Sequence, residues 1–268
     1  MLNRFFRWRE QRQLRLSRIP ATLWQRVVDD SLTVFHLDQH ELHQLRELAS
    51  LFLIRKTITG AGGLDVDDYM SAVIAAQACV LILNLDLGYY DGWLEVIVYP
   101  DAFIVSREVR DEIGVVHKLR SVLGGEAWSR GPLILSWKDA QPNKHSNGTG
   151  STVILHEFAH KLDMIDGAAD GTPPLHPDMV LDTWIDSFTD TFMQLREQIE
   201  HHQRTDIDPY AAENPAEFFA VVSEDFFAAP EQLHQYHAGI YQQLRLFYRQ
   251  DPLQRLYISR SLEAGNQI

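Results

Sequence analysis

SNGTGSTVILHEFAHKLD, residues 146–163, contains the run His156-Glu157-Phe158-Ala159-His160. Two histidines four residues apart on a helix project from one face about one turn apart, so both imidazoles reach a single metal ion. Glu157 stands beside that face, placed to hold and deprotonate a water at the metal without being a ligand. A zinc hydrolase needs at least this much. HExxH also arises by chance, so its flanks decide. Asn147, Gly148, Gly150 and Ser151 supply loop and N-cap chemistry upstream, and Asp166-Gly167 supplies a turn downstream, which bounds a helix of a few turns. Leu155, Phe158, Ala159 and Leu162 fall at i, i+3, i+4 and i+7, an apolar stripe for a core. His156, His160 and Asp163 form a second stripe next to it. The competing reading is a core helix whose histidines are bonded to carboxylates. Desolvating two His, one Glu and one Asp for packing alone disfavours it.

Composition narrows the class. The chain has 268 residues, of which 45% are hydrophobic and 23% charged, as expected of a globular protein. Its 24 basic and 37 acidic residues give a net charge of −13, which argues against a general nucleic-acid binder and for a soluble protein of the cell interior. The one cysteine, Cys79, excludes an intramolecular disulfide framework and lies in SAVIAAQACVLIL as a core thiol. Residues 1–20 carry six arginines against one acid, interleaved with Leu2, Phe5, Phe6, Trp8, Leu14, Leu16 and Ile19. They lack the long apolar run of a secretory signal and read as a peripherally packed basic helix. The longest uncharged run, Met70 to Leu85, is too short to span a bilayer comfortably and reads as a buried helix, so no stable membrane association is expected.

Along the chain, Asp38 with Glu41 forms a capping box for a helix whose stripe is Leu42, Leu45, Leu48, Ala49 and Phe52. His36, His40 and His43 at its start read as a solvated helix terminus. Asp65 opens a second helix through about Leu83, so residues 1–88 form a helical amino-terminal unit. From Tyr89 the period changes. EVIVYP (95–100), AFIVS (102–106) and GPLILSW (131–137) are strand candidates. The last runs toward the HExxH helix and would suit an edge strand that pairs with an extended peptide substrate, or equally an interior strand. A helix from about Asp178 to His202 and a loop, RTDIDPYAAEN, lead into PAEFFAVVSEDFFA.

Two histidines under-coordinate zinc, so a third protein ligand is required. A Gly and a third His at the positions occupied by Asp163 and Asp166 would mark a metzincin, and both are absent. A carboxylate on a later helix is the other common solution. Asn214-Pro215 starts a helix and puts Glu217 in its first turn. Asn-Pro-Ala-Glu is also a capping box, which is the competing role for Glu217. Glu217, Val221 and Glu224 share a face of an otherwise aromatic and aliphatic helix, where carboxylates need a counter-charge. Glu224 is the reserve ligand or a support for a ligand histidine, and Asp163 is a second candidate for that support.

HEFAHKLD (156–163), YAAENPAEFFAVVSEDFF (210–227) and DPLQRL (251–256) resemble the Mlc titration factor A family, the glucose-regulated M90 zinc peptidases. The spacing YxxxxxxE and the AEFFA segment also look like the zinc domain of anthrax lethal factor. The resemblance covers nearly the whole chain. It implies one zinc per chain held by His156, His160 and Glu217, Glu157 as general base, and a catalytic Tyr210 seven residues before the ligand glutamate. It further implies a cytoplasmic, aminopeptidase-like enzyme acting on peptides, which also binds the glucose repressor Mlc and so relieves repression of the glucose phosphotransferase system. A regulatory binding protein with a non-catalytic zinc site is the alternative. The expected architecture is α+β: a helical unit over 1–88 and, over 89–268, a zincin-like catalytic domain with a small mixed sheet and the HExxH helix.

Overall fold

A computed structural model describes residues 18–101, 103–110, 116–123, 125–127, 131–142 and 152–265. Residues 1–17 of the basic arm, Ala102 and the loop with Asn147, Gly148, Gly150 and Ser151 lie outside the described residues. The architecture is α+β. Helix α1 (Ala21–Val27) is followed by α2 (Gln39–Arg55), which starts on the expected box. The Asp38 carboxylate accepts from the Glu41 amide at 2.8 Å, and the Glu41 carboxylate accepts from the Asp38 amide at 3.0 Å. Helix α3 (Asp68–Leu81) is capped two residues later than expected, by Asp67, whose Oδ1 accepts from the Met70 amide at 2.7 Å. Every residue from Ala72 to Leu81 is buried, which explains why its sequence shows no polar face. Cys79 is a buried free thiol, pushed up by burial.

The sheet joins segments distant in sequence. Strands β1 (Thr57–Gly60), β2 (Glu95–Tyr99) and β6 (Leu133–Ser136) run parallel, and the short β5 (Gly125–Ala127) adds antiparallel beyond β6, giving the order β1-β2-β6-β5. Strands β3 (Phe103–Arg110) and β4 (Val116–Leu123) form a separate antiparallel ribbon. Strand β1 was not expected from its sequence. In β2, Val96 and Val98 are buried and their neighbours less so, the period of two that marked it as a strand. The edge-strand option for residues 131–137 is corrected here. Leu133–Leu135 is paired on both sides, by β2 and by β5, and the sheet edge beside it is Gly125–Ala127.

The rest is helical: α4 (Trp137–Ala140), α5 (Val153–Asp163), α6 (Leu181–Glu200), α7 (Pro215–Ala228), α8 (Pro230–Tyr236), α9 (Ala238–Tyr248) and α10 (Pro252–Gly265). A continuous apolar core runs from Ile19 to Leu253. Phe158 of α5 sits in an aromatic knot, its ring centre 5.7 Å from Phe52, 5.2 Å from Tyr90 and 5.8 Å from Trp93. Burying such a ring stabilises the fold by about 1.5–3 kcal/mol in transfer terms alone, and it fixes which way α5 faces. Among the described residues no helix is long and apolar enough to cross a membrane.

Candidate metal centre

Helix α5 carries its two stripes as the spacing requires. Leu155, Phe158, Ala159 and Leu162 are fully buried, and this rotation turns His156 and His160 together onto the adjacent face. Their rings meet nearly perpendicular, with centres 4.8 Å apart. The helix is pinned from behind by Lys161, whose Nζ donates to the Gly131 carbonyl at 2.9 Å and lies 4.9 Å from the Trp93 ring centre. Burial and the charge of Lys56 lower the Lys161 pKa to about 8. Lys56 itself, lowered to about 8 mainly by burial, donates to the carbonyls of Tyr90 and Trp93 on the other side. After α5 the chain turns through Met164–Asp166 and leaves at Gly167, with φ at 103° in the left-handed region.

Helix α7 starts at Asn214 and Pro215, as expected. Asn214 Oδ1 accepts from the Glu217 amide at 3.0 Å, which is half of a capping box. The other half is missing because the Glu217 carboxylate turns to the histidines. Its Oε2 lies 3.0 Å from His156 Nε2 and 3.3 Å from His160 Nε2, and the two Nε2 atoms are 3.2 Å apart. A tetrahedral ion with ligands at about 2.0–2.1 Å spaces them about 3.3 Å apart. The three donors therefore make one face of such a site, two imidazole nitrogens and one carboxylate oxygen, the set zinc favours. They are the group of potential metal donors among the described residues, and no comparable group forms at His36, His40 and His43. The three side chains are 11–18% exposed, so the centre opens to solvent on one side.

The surroundings separate the remaining candidates. Glu224, two turns beyond Glu217 on the same face of α7, brings Oε1 to 2.6 Å from His156 Nδ1. It is thus a support for a histidine, the second of the roles weighed for it, and this bond leaves Nε2 facing the donor triangle. Asp163 does not take that role. It is fully buried and its Oδ2 accepts from the Gly171 amide at 3.0 Å. Glu157 is buried on α5, and its charge acts on His156, Lys161 and Tyr210. Tyr210 is the second residue of a one-turn 3-10 helix, Pro209–Ala212, capped by Asp208, whose Oδ1 accepts from the Tyr210 amide at 2.9 Å. Its ring is 6.0 Å from the His156 ring and remains 45% exposed at the rim.

These contacts set the electrostatics. Burial acts to lower the His156 pKa, but its bonds to Glu217 and Glu224 overcome that and raise it to about 10. Burial acts to raise Glu217, yet the bonds to His156 and His160 hold it well below the usual carboxylate range. Burial, the charges of Glu217 and Glu213, and a hydrogen bond to Glu217 push the Tyr210 hydroxyl well up, so it stays protonated at neutral pH. Gly171 and Lys161 are the residues of this neighbourhood that the sequence did not mark, because their partners lie in other elements.

Residues 5–249 match the family described as glucose-regulated metallo-peptidase M90. Mlc titration factor A of Salmonella typhi is 38% identical over 236 residues, covering 86% of this chain and 88% of that protein. Mlc titration factor A of Escherichia coli O9:H4 (strain HS) is 36% identical over 252 residues, covering 93% of each. A match running through both donor helices, and relatives aligned over most of their own length, leave one assignment: the chain belongs to the glucose-regulated metallo-peptidase M90 family.

Proposed function

We propose that this metallopeptidase is a zinc-dependent, aminopeptidase-like enzyme of zincin type whose ligands are His156, His160 and Glu217. The observation that carries the proposal is the donor triangle of two Nε2 atoms and Glu217 Oε2, with edges of 3.0 to 3.3 Å. A bound zinc ion supplies Lewis acidity, polarising a scissile carbonyl and making water acidic near neutral pH. Glu157 is the general base: its carboxylate takes one proton from the water whose oxygen bonds to the carbonyl carbon. Glu157 returns that proton to the amine nitrogen as the C–N bond breaks, so it ends as it began. Tyr210 donates its hydroxyl hydrogen to the developing oxyanion, which its raised pKa permits. Glu224 holds His156 in the tautomer that presents Nε2. The site residues all fall in the proposed catalytic domain, 89–268, and the helical unit, 1–88, supplies Phe52 and α3 behind the HExxH helix.

The name of the relatives, Mlc titration factor A, supports a second activity, capture of Mlc; the alternative to the enzyme is a regulator that does this without catalysis. One set of samples tests both. Purified wild type should carry one zinc per chain and hydrolyse aminoacyl anilides in a chelator-sensitive way, and Glu217→Ala should lose both. Metal without turnover on any peptide substrate would remove the enzyme reading, and no metal would remove the zinc centre. A Glu157→Gln chain that still captures Mlc would separate binding from hydrolysis.

A further inference from the structure

Gly171 lies in the loop between α5 and α6, and three helices converge on it. Its amide donates to Asp163 Oδ2, at the last residue of α5, at 3.0 Å. Its carbonyl accepts from Trp184 Nε1, on α6, at 3.2 Å. Its α-carbon is wedged against the first residue of α7: a Cβ there would lie 2.4 Å from the Pro215 carbonyl oxygen and 2.9 Å from its carbon. Those are backbone atoms, so no side-chain rotation relieves the clash. The φ of +79° independently requires glycine. Trp184 closes the arrangement by packing on Phe219 of α7, with ring centres 6.0 Å apart.

We propose that Gly171, held by Asp163, is a positioning residue that sets the separation between the α5 histidines and Glu217. The proposal rests on the metal-centre reading above. Asp163 is three residues from His160 and Pro215 two residues from Glu217, so the chain Asp163–Gly171–Pro215 links the same two helices, α5 and α7, as the donor triangle does. Its contribution is geometric: the pair of histidines stays intact if it fails, and the carboxylate is displaced.

The test measures cobalt(II) affinity by chelator competition in the full chain, with far-ultraviolet circular dichroism as the check on folding. Gly171→Ala should bind cobalt about 10–100-fold more weakly than wild type, the usual loss when a ligand's support is removed. Asp163→Ala should also weaken binding, whereas Asp163→Asn, which keeps an acceptor oxygen for the Gly171 amide, should stay within a few-fold of wild type. In a Glu217→Ala background, titrated at the high cobalt concentrations that the remaining two-histidine pair needs, the Gly171→Ala change should cost nothing further, because the ligand it positions is gone. Equal affinity of Gly171→Ala and wild type, or the same loss in the Glu217→Ala background, would overturn the proposal while leaving the metal centre standing. If Gly171→Ala does not fold, the Asp163 pair decides: affinities that fall alike in Asn and Ala overturn it, and rescue by Asn supports it. Wild type that binds no cobalt would overturn the metal-centre reading and this proposal with it.

Discussion

Phe158 lies between the two histidines in sequence and on the opposite side of the helix in space, so replacing it separates packing from chemistry. Its ring is fully buried and meets three other rings at 5.2 to 5.8 Å. Phe158→Ala leaves a cavity in that knot, and such truncations cost about 3–5 kcal/mol. The ring pairs, worth about 0.5–1.5 kcal/mol each, are already contained in that cost and place it at the upper end of the range when the partners cannot close up. Phe52, Tyr90 and Trp93 also touch one another at 6.0 to 6.3 Å, and the Tyr90 hydroxyl is tied to the Ala78 carbonyl at 2.7 Å, so the knot collapses little. A loss near 5 kcal/mol is expected. For a chain of this size each kcal/mol moves the melting temperature by about 2–4 °C, so the midpoint should fall by about 10–20 °C. Phe158→Leu should lose less than half of that. Leu94→Ala, at a side chain 72% exposed, should change stability by less than about 0.5 kcal/mol. The assay is thermal and urea unfolding of all three variants with zinc held at fixed free concentration, and zinc affinity measured well below each midpoint. A loss under about 1 kcal/mol for Phe158→Ala would refute the packing account. Weakened zinc binding by the folded variant would refute the separation of the two faces.

Tyr210→Phe should keep its zinc and lose on the order of a hundredfold or more in turnover, as when one oxyanion donor is removed; equal kcat in variant and wild type would take Tyr210 out of the reaction. Glu224→Ala should weaken zinc binding about 10–100-fold, and Glu224→Gln, which keeps an acceptor for His156 Nδ1, by less; unchanged affinity in both would show that the 2.6 Å contact does not orient His156. Zinc-stripped protein should lose stability as pH rises from 7 to 8. His156, raised to about 10 in the fold, keeps its proton there while the unfolded chain, near 6.5, has released it. Stability from that group is complete below about pH 6.5 and is lost through about pH 10, with a slope near 1.4 kcal/mol per unit for one proton. Lys56 and Lys161, lowered to about 8, act in the opposite direction above that pH, which confines the window. A urea midpoint with the same pH slope in His156→Asn would sink this assignment.

What the sequence discloses about this chain follows from distance along it. The face of α5, the box at Asp38 and Glu41, and the start of α7 at Asn214 are all relations among residues within one or two helical turns, and all three are present. Glu217 was less legible, because Asn-Pro-Ala-Glu serves a cap or a ligand equally well; only the three-dimensional approach of α5 shows the carboxylate turned outward. Glu224 stayed between ligand and support for the same reason. Asp163 was one of two candidates to support a histidine, and its carboxylate instead accepts from the Gly171 amide, eight residues on, in a loop whose course no periodicity encodes. Strand β1 escaped notice because TITG is four residues long and half exposed, and its identity as a strand comes from pairing with Glu95–Val98. The same holds for Leu133–Ser136, whose interior position depends on Gly125–Ala127 adding beyond it.

The donors of the proposed centre come from residues 57 and 61 positions apart. As the chain leaves a ribosome, the two imidazoles are available long before the carboxylate, and the Glu224 that orients one of them comes later still. A nascent chain ending before Pro215 offers a metal ion two neutral nitrogens, a weak and unselective pair. The third donor arrives only when α7 docks on α5, so tight capture of the ion follows closure of this half of the molecule. Metal supply then bears, by mass action, on how long the folded protein lasts, as well as on how fast it works.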